Sequence, residues 1–198
     1  MKIVGIDYSL CSPCVAFTGM DCAYEAHFLT GTRRHAGACT HACTGVYAGV
    51  GAGTLAGGRV RTYGHAYPDW TAEEERHDKL SEWALGFCKD ADLVVIEDYA
   101  MGAKGRVFHI GENAGLLKWK LWQAGVKFTK VSPTLLKKFA AGKGNADKDR
   151  MHQAFLERFG IDLKATMTPD ASKVGNPVSD IVDAIFLCLY GESLSPTR

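Results

Sequence analysis

The chain of 198 residues is 46% hydrophobic and 23% charged, which allows a buried core and excludes a disordered or collagen-like chain. No apolar run approaches the roughly 20 residues of a membrane-spanning helix, so the sequence predicts no membrane association. The net charge of +1 excludes a uniformly basic protein, and any surface for a polyanion must be local.

The N-terminal segment and the cysteines favour a cytoplasmic protein. The opening "MKIVGIDYS" meets Asp7 too early for the apolar core of a signal peptide and is typical of a first strand. Seven cysteines without a secretion signal indicate reduced thiols. A structural zinc site is the alternative for one group, which consists of Cys11, Cys14, Cys39 and Cys43 with His35 and His41 nearby.

Three short strands and an insertion are predicted first. The apolar runs at 2–9, 14–20 and 22–30 are joined so tightly that they should form an antiparallel meander. Residues 31–67 are rich in Gly and Ala and show no clear period. This composition favours a long flexible loop or an irregular hairpin extension.

A helix and a buried strand come next. Thr71 and Glu74 have the spacing of a capping box at the start of a helix over 69–90. The apolar stripe of this helix is formed by Leu80, Trp83, Ala84 and Phe87. The strand over 91–100 is continuously apolar up to Glu97, so it should lie centrally and parallel to the first strand.

The remaining segments alternate between helix and strand. Helices are predicted over 111–125, 134–141, 147–160 and 178–193, with a strand over 126–133 and a loop over 164–177. This order predicts an α/β fold: a mixed five-stranded sheet, with an antiparallel meander of three strands and two parallel strands, flanked by helices. We expect residues 1–198 to form a single domain that carries the insertion at about 31–67.

Four carboxylates should converge at one edge of this sheet. Asp7 ends the first strand and Glu97 the fourth, so they share an edge if the two strands are neighbours. Asp180 and Asp183 lie on one face of the final helix. Such groups repel one another unless cations neutralise them, and oxygen ligands select Mg²⁺ or Mn²⁺. Paired ions of this kind activate water in phosphodiester hydrolysis, which makes the four acids candidate catalytic residues.

Each acid has a simpler interpretation when taken alone. Asp7 could be an ordinary loop residue, and Asp180 could cap the final helix. Asp98 competes with Glu97, since alternation along a strand directs only one of the two inward. Glu97 is favoured because it directly follows the apolar run "LVVI".

A basic segment indicates a surface for nucleic acid. Residues 101–150 hold 11 Lys or Arg against 3 Asp or Glu, a local net charge of +8, and aromatic residues lie among them. Solvated helix faces are the alternative interpretation. The candidate DNA contacts are Lys104, Arg106, His109, Lys118, Lys138 and Lys143.

Five segments carry a resemblance to a known family. They are "GIDYS", "VVIED", "IGENAGLLKWKLWQAGV", "LKKFAAGKGNADKDRM" and "SDIVDAI", and together they cover most of residues 1–10 and 93–190. In this order they resemble the RuvC-type Holliday-junction resolvases of the RNase H-like superfamily, and "GKGNADK" is most similar to virus-encoded members. The family's metal-binding acids and functional lysines fall on Asp7, Glu97, Asp180, Asp183, Lys137 and Lys148.

The resemblance implies a Mg²⁺-dependent endodeoxyribonuclease, with Mn²⁺ as a substitute, that resolves four-way and other branched DNA. It implies hydrolysis that leaves a 5′-phosphate and a 3′-hydroxyl, and a homodimer paired through the helix over 111–125. It also implies a role in DNA recombination and repair, in the cytoplasm of a bacterium or an infected host cell.

The lysines and a wedge complete the candidate site. Lys137 and Lys148 flank the turn "AAGKGNA", whose N–H groups can approach a phosphate while a lysine stabilises negative charge. A flexible turn with solvated lysines is the alternative. The family often carries an aromatic wedge that opens base pairs after the fourth-strand glutamate. The candidate wedge residues are Tyr99, Met101 and Phe108, although Tyr99 could instead pack in the core.

Two other functions remain open from the sequence. "GIDYS" also resembles the first phosphate loop of actin-like and sugar-kinase ATPases, but those proteins need two such domains. A non-catalytic branched-DNA-binding module would keep the basic residues and need none of the acids.

Overall fold

The structure is a computed structural model that describes residues 1–20, 23–30, 60–99 and 107–194. The strands in these ranges are β1 (Ile3–Asp7), β2 (Cys14–Phe17), β3 (Tyr24–Thr30), β4 (Val60–Ala66), β5 (Leu93–Glu97) and β6 (Phe128–Val131). The helices are α1 (Glu73–Cys88), α2 (Val107–Gln123), α3 (Pro133–Ala141), α4 (Lys148–Phe159), α5 (Leu163–Met167) and α6 (Val178–Ser193). Among these helices, none combines the length and apolar character needed to cross a membrane.

The strands form one mixed sheet in the order β4-β3-β2-β1-β5-β6. β1 pairs antiparallel with β2, and β2 pairs antiparallel with β3, which confirms the predicted meander. β5 is parallel to β1, and β6 is parallel to β5. The predicted mixed sheet flanked by helices is therefore confirmed.

A sixth strand corrects the predicted count of five. β4 falls in the segment predicted as a loop or a hairpin extension, and it pairs parallel with β3 rather than in a hairpin. Val60 and Thr62 are buried and alternate with half-buried Arg61 and Tyr63. The polar side chains and Gly64 hid this alternation in the sequence. The rest of the insertion, residues 31–59, lies outside the described residues.

Hydrophobic side chains pack in two layers, one on each face of the sheet. Alternation along β1 sends Ile3 into the layer that contains Phe186 of α6. Its neighbour Val4 points into the opposite layer, which contains Leu80 of α1 and Leu117 of α2. Helix α6 and the pair α1–α2 therefore cover opposite faces of the sheet.

Two glycines allow α6 to lie directly on the central strands. A Cβ on Gly5 would collide with the backbone at Ala184 O and Cys188 N and would lie 2.9 Å from the Cβ of Leu187. A Cβ on Gly191 would lie 2.6 Å from Ile3 Cγ2. The close approach fixes the height of α6 above β1, which matters for the acids that α6 carries.

The predicted capping box at the start of α1 is wrong. Ala72 occupies the N-cap position, and its side chain accepts no hydrogen bond. The backbone N–H and hydroxyl of Thr71 both donate to Glu75 Oε2 at 2.7 Å, so Glu75 rather than Glu74 reaches back. In the predicted stripe, Leu80 and Ala84 are buried, and Trp83 and Phe87 pack against the same layer.

Two further boundaries differ from the prediction. Helix α2 begins at Val107, four residues before the predicted start at Gly111, because a glycine that looked like a boundary lies inside the helix. The predicted loop over 164–177 contains most of the short helix α5. Asp162 caps α5 by accepting from the backbone N–H of Ala165 at 2.9 Å.

Candidate active site

The tips of β1 and β5 bring two acids to the same edge of the sheet. Ile6 and Ile96 are register partners in the parallel pair, and Asp7 and Glu97 follow them. Asp98 points to other partners, because Lys130 Nζ donates to its Oδ2 at 3.1 Å. Partial burial acts to raise the pKa of Asp98, but the hydrogen bond from Lys130 acts against it, and the pKa is lowered overall. Of the two adjacent acids, Glu97 is the one that acts electrostatically on Asp7.

Helix α6 brings the other two acids to this edge. Asp180 and Asp183 are spaced by three residues and share a face of the helix. Asp180 does not cap the helix, because Pro177 occupies the N-cap position. The side chain of Asp180 accepts from the Ser179 hydroxyl through Oδ1 at 3.2 Å. Its other oxygen, Oδ2, is buried and has no hydrogen-bond partner among the described residues.

Burial makes the negative charge of all four acids unfavourable. It raises the pKa of Asp183 to about 7 and that of Asp180 to about 6. Burial also raises the pKa of Glu97 and, well above its usual range, that of Asp7. Repulsion from Asp180, Glu97 and Asp183 adds to the effect of burial on Asp7. The four acids therefore form a single electrostatic unit that favours an added positive charge.

The ligand atoms of the four acids are farther apart than those of a tight metal-binding cluster. Within the described residues, three ligand atoms lie within 4.8 Å of one another in one group, formed by Glu73, His77 and His109. That group is on α1 and α2, on the opposite face of the sheet from α6. This group was missed from the sequence because His109 was placed among the candidate DNA contacts and His77 was not considered.

Two lysines border the acids from two different helices. Lys148 is the first residue of α4, whose start is fixed by the N-cap Asp147. Burial raises the pKa values of Asp7 and Asp183, and the charge of Lys148 opposes this rise. Burial also raises the pKa values of Glu97 and Asp183, and the charge of Lys137 on α3 acts to lower them. Positive charge therefore approaches the acids from both sides of the α3–α4 turn.

Glycines shape the turn between these lysines. Gly142 ends α3 in the left-handed region at φ 77°, and its N–H donates to Lys138 O. A Cβ on Gly144 would lie 2.6 Å from Thr134 Cγ2 and 3.1 Å from Thr134 O. The turn is therefore a tightly built connection.

A polar network connects Lys148 to the acids, and the sequence did not reveal it. Lys148 Nζ donates to Asn176 Oδ1 at 3.2 Å and to Ser179 Oγ at 3.0 Å. The side-chain amide of Asn176 donates to Ser12 Oγ, so the network reaches the loop after β1. The sequence offered one signal for this network, which is that Asn176 and Ser179 stand shortly before Asp180. Nothing in the sequence marks Ser12.

The candidate DNA contacts occupy different environments. Lys138, Lys143 and His109 are exposed, whereas Lys118 donates to the Tyr99 hydroxyl at 2.7 Å and lies over its ring. Lys120 belongs to the same basic segment but is buried in ion pairs with two acids of α1. Three predicted residues lie outside the described ranges: Lys104, Arg106 and Met101.

The remaining wedge candidates differ in exposure. Tyr99 is held by Lys118 and by donation to Gly111 O at 3.3 Å. Phe108 is 84% exposed at the start of α2. Trp119 and Trp122 on the same helix are also largely exposed. Helix α2 therefore presents large apolar side chains to solvent.

The proposed zinc set is only partly described. Cys11 is an exposed free thiol and Cys14 a buried one. Burial, followed by repulsion from the nearby acids, raises the pKa of Cys14, so its thiol stays neutral. The other members, Cys39, Cys43, His35 and His41, lie outside the described residues.

The chain has the fold of known Holliday-junction resolvases. Thermus thermophilus RuvC matches it with a TM-score of 0.56 at 14% identity, covering 98% of this chain and 96% of that chain. The complex of T. thermophilus RuvC with a Holliday junction substrate matches with a TM-score of 0.55, at the same identity and coverage. Fowlpox virus resolvase with Holliday junction DNA matches with a TM-score of 0.50 at 16% identity, covering 98% and 99% of the two chains. No family model matches the sequence, and no curated protein is significantly similar to it.

Proposed function

We propose that the protein is a metal-dependent endodeoxyribonuclease that resolves four-way and other branched DNA. The observation that carries this proposal is the convergence of Asp7, Glu97, Asp180 and Asp183, whose buried charges repel one another. The fold supports it, since the matching T. thermophilus and fowlpox proteins were solved with Holliday junctions. We further propose a single nuclease domain and, from the likeness of "GKGNADK", a virus-encoded member of the family.

The donor set fits a hard divalent cation. The four acids offer only oxygen ligands, which suit Mg²⁺ or Mn²⁺. Asp180 Oδ2 is a buried oxygen without a hydrogen-bond partner among the described residues, and a bound cation would satisfy it. The ions would be held by Asp7, Glu97, Asp180 and Asp183. Bound there, they supply water activation and charge neutralisation at the leaving oxygen.

Lys148 stabilises the transition state in this proposal. Asn176 and Ser179 orient the Lys148 ammonium next to the acids. From there it stabilises the negative charge that develops on the phosphoryl oxygens as the water oxygen bonds to phosphorus. The attacking water releases a proton to solvent, the bond from phosphorus to the 3′-oxygen breaks, and that oxygen takes up a proton. The products are a 5′-phosphate and a 3′-hydroxyl, as the resemblance implies.

The basic segment supplies the surface for DNA. Exposed Lys138 lies on α3 next to Lys137, whose charge acts on Glu97 and Asp183, and exposed Lys143 lies in the turn after α3. His109 and Lys118 would extend this surface along α2, and Lys104 and Arg106, which lie outside the described residues, are further candidate DNA contacts. Of the two wedge candidates within the described residues, Phe108 is more exposed than Tyr99. Exposed Trp119 and Trp122 would pair two copies through α2, and a two-fold dimer suits a symmetric junction with two cleavable strands.

Adjacent acids allow a matched test of this function. A labelled four-way junction with Mg²⁺ should be cut by paired nicks in the wild type. Glu97→Gln should reduce the rate by about 100-fold or more, because it removes a ligand from the metal centre. Asp98→Asn should keep activity within a few-fold, because Asp98 is bonded to Lys130.

Two outcomes would contradict the proposal. The first is equal loss of cleavage in both variants with their folding intact. The second is wild-type protein that binds the junction tightly but cuts it with neither Mg²⁺ nor Mn²⁺, which would indicate the non-catalytic binding module instead.

A further inference from the structure

A second set of metal-ligating side chains lies away from the four acids. Glu73 and His77 stand one turn apart on α1, and His109 lies in the first turn of α2. The carboxylate oxygen and ring nitrogens of this trio lie within 4.8 Å of one another. The trio lies on the opposite face of the sheet from α6, and none of its members contributes to the raised pKa values of the acids.

The buried side chain of His77 has a ring nitrogen without a hydrogen-bond partner among the described residues. The side chain of His77 is only 8% exposed, and its Nε2 has no hydrogen-bond partner within the described residues. A buried imidazole nitrogen without a partner is unfavourable, since water no longer satisfies it. This nitrogen points toward Glu73, whose Oε2 is 3.8 Å away, too far for a hydrogen bond.

The other two members of the trio are accessible to solvent. The side chains of Glu73 and His109 are 37% and 48% exposed, so two of the three ligands are open to an ion from solvent and the third, His77 Nε2, is buried. Glu112 Oε2 lies 3.6 Å from His109 Nδ1, which is too far for a hydrogen bond, but its negative charge adds to that of Glu73 beside the trio.

We propose that Glu73, His77 and His109 form a binding site for a divalent transition cation of the zinc class. Two imidazole nitrogens and one carboxylate suit Zn²⁺ or Co²⁺, whereas Mg²⁺ prefers the all-oxygen set of the four acids. The two centres should therefore select different ions.

Arg76 sets the strength of this site. Its Nη1 donates to Glu73 Oε2 at 3.3 Å, and its positive charge opposes a bound cation. We therefore expect micromolar rather than nanomolar affinity.

The bound ion would join two helices. Glu73 and His77 belong to α1 and His109 to α2, so one cation fixes the first turn of α2 against α1. Phe108, the exposed wedge candidate, lies in that same turn. An ion that binds only the native state also raises the free energy of unfolding.

The test uses tag-free full-length protein in which Asp7→Asn, Asp180→Asn and Asp183→Asn remove the acidic centre. We expect about one equivalent of Co²⁺ to give visible absorption bands that Zn²⁺ abolishes and excess Mg²⁺ leaves unchanged. His109→Ala and Glu73→Gln should each weaken binding by about tenfold or more. Both residues are partly exposed, so these variants should still fold, which circular dichroism checks. Glu74→Gln is the matched control, since Glu74 is an exposed acid on the same turn of α1.

Either of two results would overturn the proposal: no saturable Co²⁺ binding, or binding that is the same in folded His109→Ala as in its parent. Neither result depends on DNA cleavage. The site can therefore fail while the proposed nuclease function stands, and the reverse also holds.

Discussion

At the scale of single residues, the acids of the candidate site lie where burial disfavours their own charge. Burial, with repulsion from Glu97 and Asp180, raises the pKa of Asp183 from 3.8 to about 7. The native state thus holds this proton more tightly than the unfolded chain does. The resulting stabilisation is complete below about pH 4 and is lost as the pH rises through about 7.

Removing this charge should stabilise the protein without metal. We expect Asp183→Asn to raise the free energy of unfolding by about 1–3 kcal/mol at about pH 8 in EDTA, and by much less near pH 4. Urea unfolding at the two pH values measures the difference. Asp98→Asn is the control with the opposite sign, because Lys130 stabilises that carboxylate. Unchanged or lower stability of Asp183→Asn at pH 8 would contradict the electrostatic account.

The spacing of residues in the sequence was enough to anticipate which acids meet. Strand ends and helical periodicity pointed to the edge where Asp7, Glu97 and the α6 acids converge. The same reasoning could not find the Ser12–Asn176–Ser179 network. Short polar side chains in loops have no periodicity, and their partners depend on how distant loops pack.

At the scale of elements, the contact between α6 and β1 holds the site together. Gly5 removes the side chain that would separate the two backbones. Asp7 lies two residues further along β1, and Ala184 follows Asp183 directly. Any shift of α6 away from the strand therefore changes the distance between acids on the two elements.

A methyl group at this contact should be poorly tolerated. Gly5→Ala would push against backbone atoms of Ala184 and Cys188, which cannot rotate away. We expect a loss of about 3 kcal/mol or more in the free energy of unfolding, measured in urea. Gly86→Ala is the matched control, because a Cβ there meets nothing within 4 Å, and it should stabilise α1 by up to about 1 kcal/mol. Equal effects of the two changes would contradict the proposed role of Gly5.

The predicted elements were most accurate where apolar runs were long. β1 and β5 are apolar up to the acids that end them, and α6 carries a buried apolar run after Asp183, so all three have long apolar stretches. β4 was missed because an edge strand needs only alternate apolar residues and tolerates Gly64. The capping box failed because Glu74 and Glu75 are both acidic, and the sequence cannot tell which one reaches Thr71.

At the scale of the whole molecule, charge is divided unevenly. Residues 101–150 carry a net charge of +8 within a chain of net charge +1. Lys138 and Lys143 are exposed, while Lys120 is neutralised by Asp78 and Glu82. The formal count therefore overstates the charge available to DNA.

Salt dependence should distinguish these two kinds of lysine. We expect Lys138→Ala or Lys143→Ala to weaken junction binding and to reduce the slope of log affinity against log salt by about one each. Lys120→Ala should leave the slope unchanged, because its ammonium is held in ion pairs. Binding titrations at several salt concentrations provide the measurement. A slope that changes only in Lys120→Ala would contradict this surface.

The central claim is that Asp7, Glu97, Asp180 and Asp183 hold divalent cations together. Anomalous diffraction from crystals soaked in Mn²⁺ tests it most directly. We predict anomalous density between the tips of β1 and β5 and the first turns of α6, and its absence in crystals of Asp7→Asn. Density confined to other parts of the molecule, or acidic side chains that point apart into solvent, would contradict the account.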